Sequence, residues 1–176
     1  MKHLILGGVK SGKSRHAEHL ANTSINSAFG NIAVVVTAEP LDDEMRQRIE
    51  RHKESRPSDW QVIEAPLLLS AALRDLDADA GISFIIVDCL TLWITNVLMQ
   101  EGSDTLISDA VDELVDTVAG LKKPLALVSN ETNMGLIGMD ALTRRFCDEV
   151  GLLHQKLAQH CESVELVVAG IPVKVK

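Results

Sequence analysis

Cysteine is scarce in this chain: Cys89, Cys147 and Cys161 are its 3 copies, and no two stand at C-x-x-C spacing. An odd count without paired spacing excludes a disulfide framework and a cysteine-based zinc site. Each is read as a small buried side chain. Aromatic residues make up 3% of the chain and tyrosine is absent, so they supply no stacking platform for a large ligand. Positive charge is outweighed, with 17 Lys+Arg against 25 Asp+Glu and a formal net charge of −8. A nucleic-acid binder carries the reverse balance, so none is expected. Long apolar runs are missing too, and no stretch reaches the length of a membrane span. The chain opens directly on a strand-like run, which leaves no room for a signal peptide and points to a cytoplasmic protein.

What is present is a globular pattern. The 176 residues are 46% hydrophobic, enough for one domain over 1–176 with a full core. Short apolar runs at Leu4–Leu6, Ile32–Val36, Gln61–Ile63, Phe84–Val87, Leu125–Val128 and Val164–Val168 read as strands. They are rich in Val, Ile and Leu on both faces, the mark of a parallel sheet covered by helices. Between them, Ile107, Ala110, Val111, Leu114, Val115 and Val118 recur at helical spacing, and Gly120 stops the run. Leu142, Phe146, Val150, Leu153 and Leu157 form a second stripe, and Leu90–Met99 is apolar on most sides, hence buried. The alternation predicts an α/β fold of the P-loop NTPase type, a doubly wound, mainly parallel sheet with helices on both faces.

Ligands of such sheets bind beyond the carboxyl ends of the strands. Six polar segments fall there: Gly7–Ser14, Thr37, Glu64, Asp88, Ser129-Asn130-Glu131 and Gly170. The first is the most specific. Gly7-Gly8-Val9-Lys10-Ser11-Gly12-Lys13-Ser14 fits G-x-x-x-x-G-K-[ST] between a strand and a helix. Backbone N–H groups of such a loop cradle phosphate oxygens, and the helix N-terminus adds partial positive charge. Lys13 is expected on the β/γ-phosphates and the Ser14 hydroxyl on Mg²⁺. Asp88 ends the strand Phe84-Ile85-Ile86-Val87 and is the second expected Mg²⁺ residue; capping the helix that begins near Thr91 is its plainer role. The local cluster of Lys10, Lys13, Arg15, Arg48, Arg51, Lys53 and Arg56 suits a small anion better than a polymer.

The segment Leu41–Pro57 reads as a helix with acids first and bases last. Leu41, Met45, Ile49 and His52 fall on one face, so His52 turns inward. Spacing leaves two readings of it. It is either a hydrogen-bonded, half-buried histidine or a nucleophile that attacks an α-phosphate to form a phosphoramidate. The neighbouring cations would hold the ring neutral and offset phosphate charge. His3, His16, His19, His154 and His160 are read as structural or surface residues.

Taken together, these residues resemble the bifunctional adenosylcobinamide kinase / adenosylcobinamide-phosphate guanylyltransferase family of cobalamin biosynthesis. The likeness runs from Leu4 to Lys174. Its matching pieces are Gly7-Gly8, Ser11-Gly12-Lys13-Ser14-Arg15, Ala17-Glu18, Asp42-Asp43-Glu44-Met45, Arg48-Ile49, His52-Lys53, Arg56-Pro57, Trp60, Glu64, Asp88-Cys89-Leu90-Thr91, Ser129-Asn130-Glu131, Phe146, Asp148, Gly151, Gln155 and Gly170-Ile171-Pro172. The resemblance implies phosphorylation of adenosylcobinamide by ATP or GTP, then transfer of GMP from GTP to adenosylcobinamide phosphate. It implies that His52 carries GMP covalently and that Lys13 acts in catalysis. It implies nucleotide contacts from Gly7, Gly8, Val9, Lys10, Ser11, Gly12, Lys13, Ser14, Val36, Thr37, Ala38, Lys53, Glu54, Ser55, Arg56, Glu64 and Asp88, and Mg²⁺ on Ser14 and Asp88. It also implies a homo-oligomer, a trimer.

This chain departs from the family pattern in places. Thr132-Asn133 replaces Val-Gly, with Asn133 expected to keep a left-handed turn; Gly138 replaces Pro; Cys147 and His154 replace an Arg and an Asn. The corrinoid contacts are sought, by position, in Asn130–Asp140 and Gly170–Lys174. Two other classes compete. A regulatory nucleotide switch would carry N-K-x-D where Ser129-Asn130-Glu131-Thr132 stands. A plain small-molecule kinase would need the loop and Asp88 but leave His52 inert.

Overall fold

Apolar residues that alternate between the two faces of a strand need a cover on each side, and the structure supplies both. This computed structural model describes residues 1–24, 30–39, 60–100, 103–135 and 137–176. The expected helix Leu41–Pro57, with His52, Lys53, Glu54, Ser55 and Arg56, lies outside the described residues.

The elements run β1 (Lys2–Gly7), α1 (Lys13–Ser24), β2 (Asn31–Val36), β3 (Gln61–Glu64), α2 (Leu69–Ala78), β4 (Ile82–Asp88), α3 (Leu90–Leu98), α4 (Ser103–Gly120), β5 (Leu125–Asn130), α5 (Ala141–His160), β6 (Ser163–Val168) and β7 (Ile171–Lys174). They build a 7-stranded sheet in the order β3-β2-β4-β5-β1-β6-β7. β1 through β6 pair in parallel, and β7 joins β6 antiparallel.

Leu4, Ala33, Val35, Ile85, Val87, Leu125 and Leu127 pack on one face with Leu73 of α2, Trp93 of α3, Leu114 of α4 and Leu153 of α5. Ile5, Val34, Ile86, Ala126 and Val128 pack on the other with Ala17 and Ala21 of α1 and with Trp60. Each such buried aliphatic side chain contributes about 1.5–3 kcal/mol, so the two-faced pattern dictates the layering. α3 is buried nearly all round, as its composition requires.

Three expectations need adjusting. The α5 stripe reaches the core at Val150, Leu153 and Leu157, with Phe146 partly buried against it, whereas Leu142 in the first turn is exposed. Cys147 is only half-buried, unlike Cys89 and Cys161. β7 has no counterpart among the expected strands, since all four of its residues are exposed and carry no burial pattern.

The parallel register draws the strand ends into one line. Gly7 is level with Asn130, and Val36 is level with both Glu64 and Asp88. The six polar segments thus meet along one sheet edge. From β1 to β3 is four strand steps, about 19 Å at roughly 4.8 Å per step.

Candidate active site

The loop after β1 has a backbone that most side chains would block. Gly7 has φ 155, and a Cβ there would lie 2.5 Å from the Val167 carbonyl oxygen and 2.6 Å from Ser11 Oγ. Lys10 sits at φ 55 and Gly12 at φ 101. Ser11 N donates to Gly8 O at 3.2 Å, and His16 N donates to Gly12 O at 3.0 Å, the opening bond of α1. The loop therefore ends at a helix N-terminus, where free N–H groups and the helix dipole favour an anion. Lys13 is buried, and its Nζ donates to Gly8 O at 2.7 Å. The ammonium is drawn back across its own loop.

Opposite the loop, Ser14 Oγ donates to Asp88 Oδ2 at 3.0 Å. The N-cap of α3 is Cys89, without a side-chain cap bond, while the Asp88 carboxylate reaches the phosphate loop. The paired reading of loop and Asp88 is therefore the one the geometry favours. A hydroxyl and a carboxylate are hard oxygen donors suited to Mg²⁺. Among the described residues no group of three His, Cys, Asp or Glu side chains could hold a metal. Mg²⁺ here would be shared with nucleotide phosphates. Asp88→Asn is expected to raise the Mg²⁺ concentration for half-maximal activity by about tenfold or more, while unfolding shifts little; an unchanged Mg²⁺ titration would remove Asp88 from the metal site.

Asp88 is held from behind by Thr37. The Thr37 hydroxyl donates to Cys89 O at 2.6 Å and accepts from Cys89 N at 3.0 Å, and Thr37 N donates to Asp88 O at 3.3 Å. Asn96 Nδ2 donates to Thr37 O at 2.8 Å and to Pro66 O at 3.0 Å. Thr37 has no exposed surface, so in this structure it positions the β4–α3 junction. Val36 is buried beside it, Ala38 is partly open, and Glu64 is exposed at the end of β3.

The end of β5, where Ser129-Asn130-Glu131 stands, carries a hydrogen-bond network. Glu131 N donates to Gly7 O at 3.0 Å, tying it to the phosphate loop. Asn130 Nδ2 donates to Thr91 Oγ1 at 3.2 Å, and Thr91 Oγ1 lies 3.1 Å from Cys89 Sγ. Burial, with Asp88 adding to it, pushes the Cys89 thiol up, so it stays protonated. Ser129 Oγ and His154 Nε2 are 2.7 Å apart, both buried. Burial lowers the His154 pKa from 6.5 to about 4, against a raising pull from Glu131. One signal could have found His154: it shares the helical face of Val150 and Leu157.

Asn133 corrects an expectation. The non-glycine residues with positive φ among those described are Lys10 and Ala169, so Asn133 is not left-handed. The Glu131 carboxylate carries that turn, with Oε1 accepting from Asn133 N at 2.7 Å and Met134 N at 3.1 Å. Asn133 Nδ2 donates to Cys147 O at 3.2 Å and lies 2.6 Å from where a Cβ on Gly151 would be. The remaining histidines among the described residues hold structure or face solvent. His16 Nε2 is 2.7 Å from Glu165 Oε2, His3 is buried, and His19 and His160 are exposed.

A mainly parallel sheet, a glycine-rich loop opening a helix, and an Asp at the end of β4, one strand removed from β1 across β5, bonded to the loop serine define a P-loop NTPase-type fold. Solved structures agree. The KaiC-like protein PH0186 from Pyrococcus horikoshii matches with TM-score 0.52 at 12% identity, over 94% of this chain and 69% of that one. The RadB recombinase matches with TM-score 0.51 at 15% identity, over 94% and 73%. At that identity the likeness concerns the fold.

Sequence comparison narrows the class. The family described as cobinamide kinase / cobinamide phosphate guanyltransferase matches residues 3–175. The bifunctional adenosylcobalamin biosynthesis protein CobP of Pseudomonas aeruginosa is 43% identical over 176 residues, covering 100% of this chain and 98% of the relative. The bifunctional adenosylcobalamin biosynthesis protein CobU of Salmonella typhimurium is 34% identical and that of Escherichia coli 33%, each covering 100% of both chains. The chain belongs to this family and is an enzyme of the cobinamide kinase and guanyltransferase class. Among the described residues no helix is long and apolar enough to cross a membrane.

Proposed function

We propose that this chain performs two successive transfers along the sheet edge. In the first, the aminopropanol hydroxyl of adenosylcobinamide attacks the γ-phosphorus of ATP or GTP, the bond to the β–γ bridging oxygen breaks, and the nucleoside diphosphate leaves. In the second, a His52 ring nitrogen attacks the α-phosphorus of GTP and pyrophosphate leaves. A phosphate oxygen of adenosylcobinamide phosphate then displaces the histidine, giving adenosylcobinamide-GDP.

The loop N–H groups and Lys13 take up charge on the triphosphate, and this placement lowers the barrier without covalent help. Mg²⁺, held by Ser14 and Asp88 with the phosphates, supplies further charge neutralisation. Lys53, Glu54, Ser55, Arg56, Glu64 and the Val36-Thr37-Ala38 turn would line the remainder of the nucleotide. The span of about 19 Å from β1 to β3 suits an extended nucleotide. A trimeric assembly and a cytoplasmic location belong to the same reading.

The observation that carries it is the Ser14–Asp88 contact at 3.0 Å beneath the glycine loop, in a chain of this family. The test uses GTP labelled at the α-phosphate, with Mg²⁺ and no corrinoid. The expected result is an acid-labile, base-stable label on the native protein, absent from His52→Ala. A label kept by His52→Ala removes His52 from the role. No label on native protein that still phosphorylates cobinamide leaves a plain kinase, and GTP hydrolysis without transfer to either substrate leaves a switch.

A further inference from the structure

The strand that joins the sheet antiparallel is also the one whose connection touches the phosphate loop. Val168 pairs with Ile171, so β6 and β7 are joined by a two-residue turn, Ala169-Gly170. Its residues have φ 51 and φ 81, as a tight hairpin demands of both central positions. Asn, Asp or Gly normally stands first in such a turn; alanine is disfavoured there.

The turn bears directly on the loop at several points. Gly170 N donates to Ser11 O at 2.8 Å. A Cβ on Gly12 would sit 3.1 Å from Gly170 Cα, and one on Gly7 would sit 2.5 Å from the Val167 carbonyl oxygen. Because the peptide unit is planar and trans, fixing the Ser11 carbonyl toward the hairpin points the Gly12 N–H away from it. That N–H is among the donors the loop offers to phosphate. The far end of the hairpin is fastened as well: Val175 N donates to Val164 O at 2.8 Å, and Lys176 Nζ donates to Ala158 O at 2.8 Å and Cys161 O at 2.7 Å.

We infer that the Ala169-Gly170 turn is a positioning element for triphosphate binding, bracing the Ser11–Gly12 peptide in the shape that receives phosphate before the nucleotide arrives. This rests on the reading of Gly7–Ser14 as the phosphate site. The exposed β7 strand then serves to hold a strained turn against the loop.

Gly170→Val pushes the turn out of its left-handed conformation while leaving the six parallel strands intact. Calorimetric titration with Mg·GTP and with inorganic pyrophosphate is expected to show both affinities falling by about tenfold or more. The KM for triphosphate should rise by a like factor, with kcat within about twofold. Gly170→Asn, which tolerates positive φ, should recover affinity to within about threefold of native. Native affinity in a folded Gly170→Val protein, or an equal loss in Gly170→Asn, overturns the inference. If Gly170→Val does not fold, Ala169→Val puts a β-branched side chain at the other positive-φ position of the turn, and native affinity there is equally fatal. Failure of the native protein to bind pyrophosphate or GTP would instead overturn the phosphate-site reading.

Discussion

Replacing Lys13 by alanine is expected to depress phosphorylation of cobinamide and, on the proposed mechanism, guanylylation of His52 together, each by about a hundredfold to a thousandfold. Lys13 is buried and its Nζ lies 2.7 Å from Gly8 O. An ammonium fixed over its own loop can neutralise phosphate charge with little reorganisation at the moment of reaction. Stability should change far less. Gly8 is exposed, so water can take up its carbonyl, and the lost hydrogen bond costs about 1 kcal/mol. Lys13→Arg should not rescue, because a planar guanidinium is a wider, forked donor than a point ammonium. Initial rates for both reactions, beside an unfolding curve, decide the matter. A variant that loses phosphorylation but keeps full labelling of His52 would separate the imidazole from the loop and divide the two transfers between two pockets.

Much of this arrangement is legible in the residues, for reasons that can be named. Strands such as Phe84–Val87 and Leu125–Val128 are apolar on both faces, and only a covered parallel sheet satisfies that. The phosphate loop announces itself because its chemistry depends on glycines and a lysine at fixed spacing. Asp88 gains meaning from that loop and has its contact there. What escapes is non-local. The order β3-β2-β4-β5-β1-β6-β7 depends on how helices pack across crossovers, which no local period records. β7 escapes because an exposed edge strand of four residues has neither alternation nor length. The bonds that join Thr37 to Cys89 and Asn96 behind Asp88 escape as well. Polar residues buried behind a site leave no motif, since any donor–acceptor pair of the right size would serve.

The Ser129–His154 pair is such a case, and it makes the protein acid-sensitive in a defined window. Above pH 6.5 the imidazole is neutral in both the folded and the unfolded chain, so it contributes no slope. As pH falls from 6.5 toward 4, the unfolded chain takes up a proton that the buried ring refuses, and folding stability declines. Below about 4 the folded ring also protonates and the decline from this group levels off. The shift corresponds to about 3 kcal/mol across the window. His3 is also lowered, chiefly by burial, and adds a decline of the same sign. Asp140 and Glu162 are held below their ordinary values of 3.8 and 4.5, chiefly by hydrogen bonds, so their contributions start to fade as pH falls past those values, and that of Glu162 overlaps the foot of this window. The comparison must therefore be between native protein and His154→Gln, which keeps an amide near Ser129 Oγ but cannot titrate. Denaturant unfolding from pH 7 to pH 4 should show the native curve falling by about 3 kcal/mol more than that of the variant, with the two within about 1 kcal/mol of each other at pH 7. Parallel curves would mean that the folded ring takes up its proton as readily as the unfolded one. Ser129 would then accept from an imidazolium below about pH 6.5, and the buried pair would place a positive charge behind the phosphate loop there instead of a neutral prop.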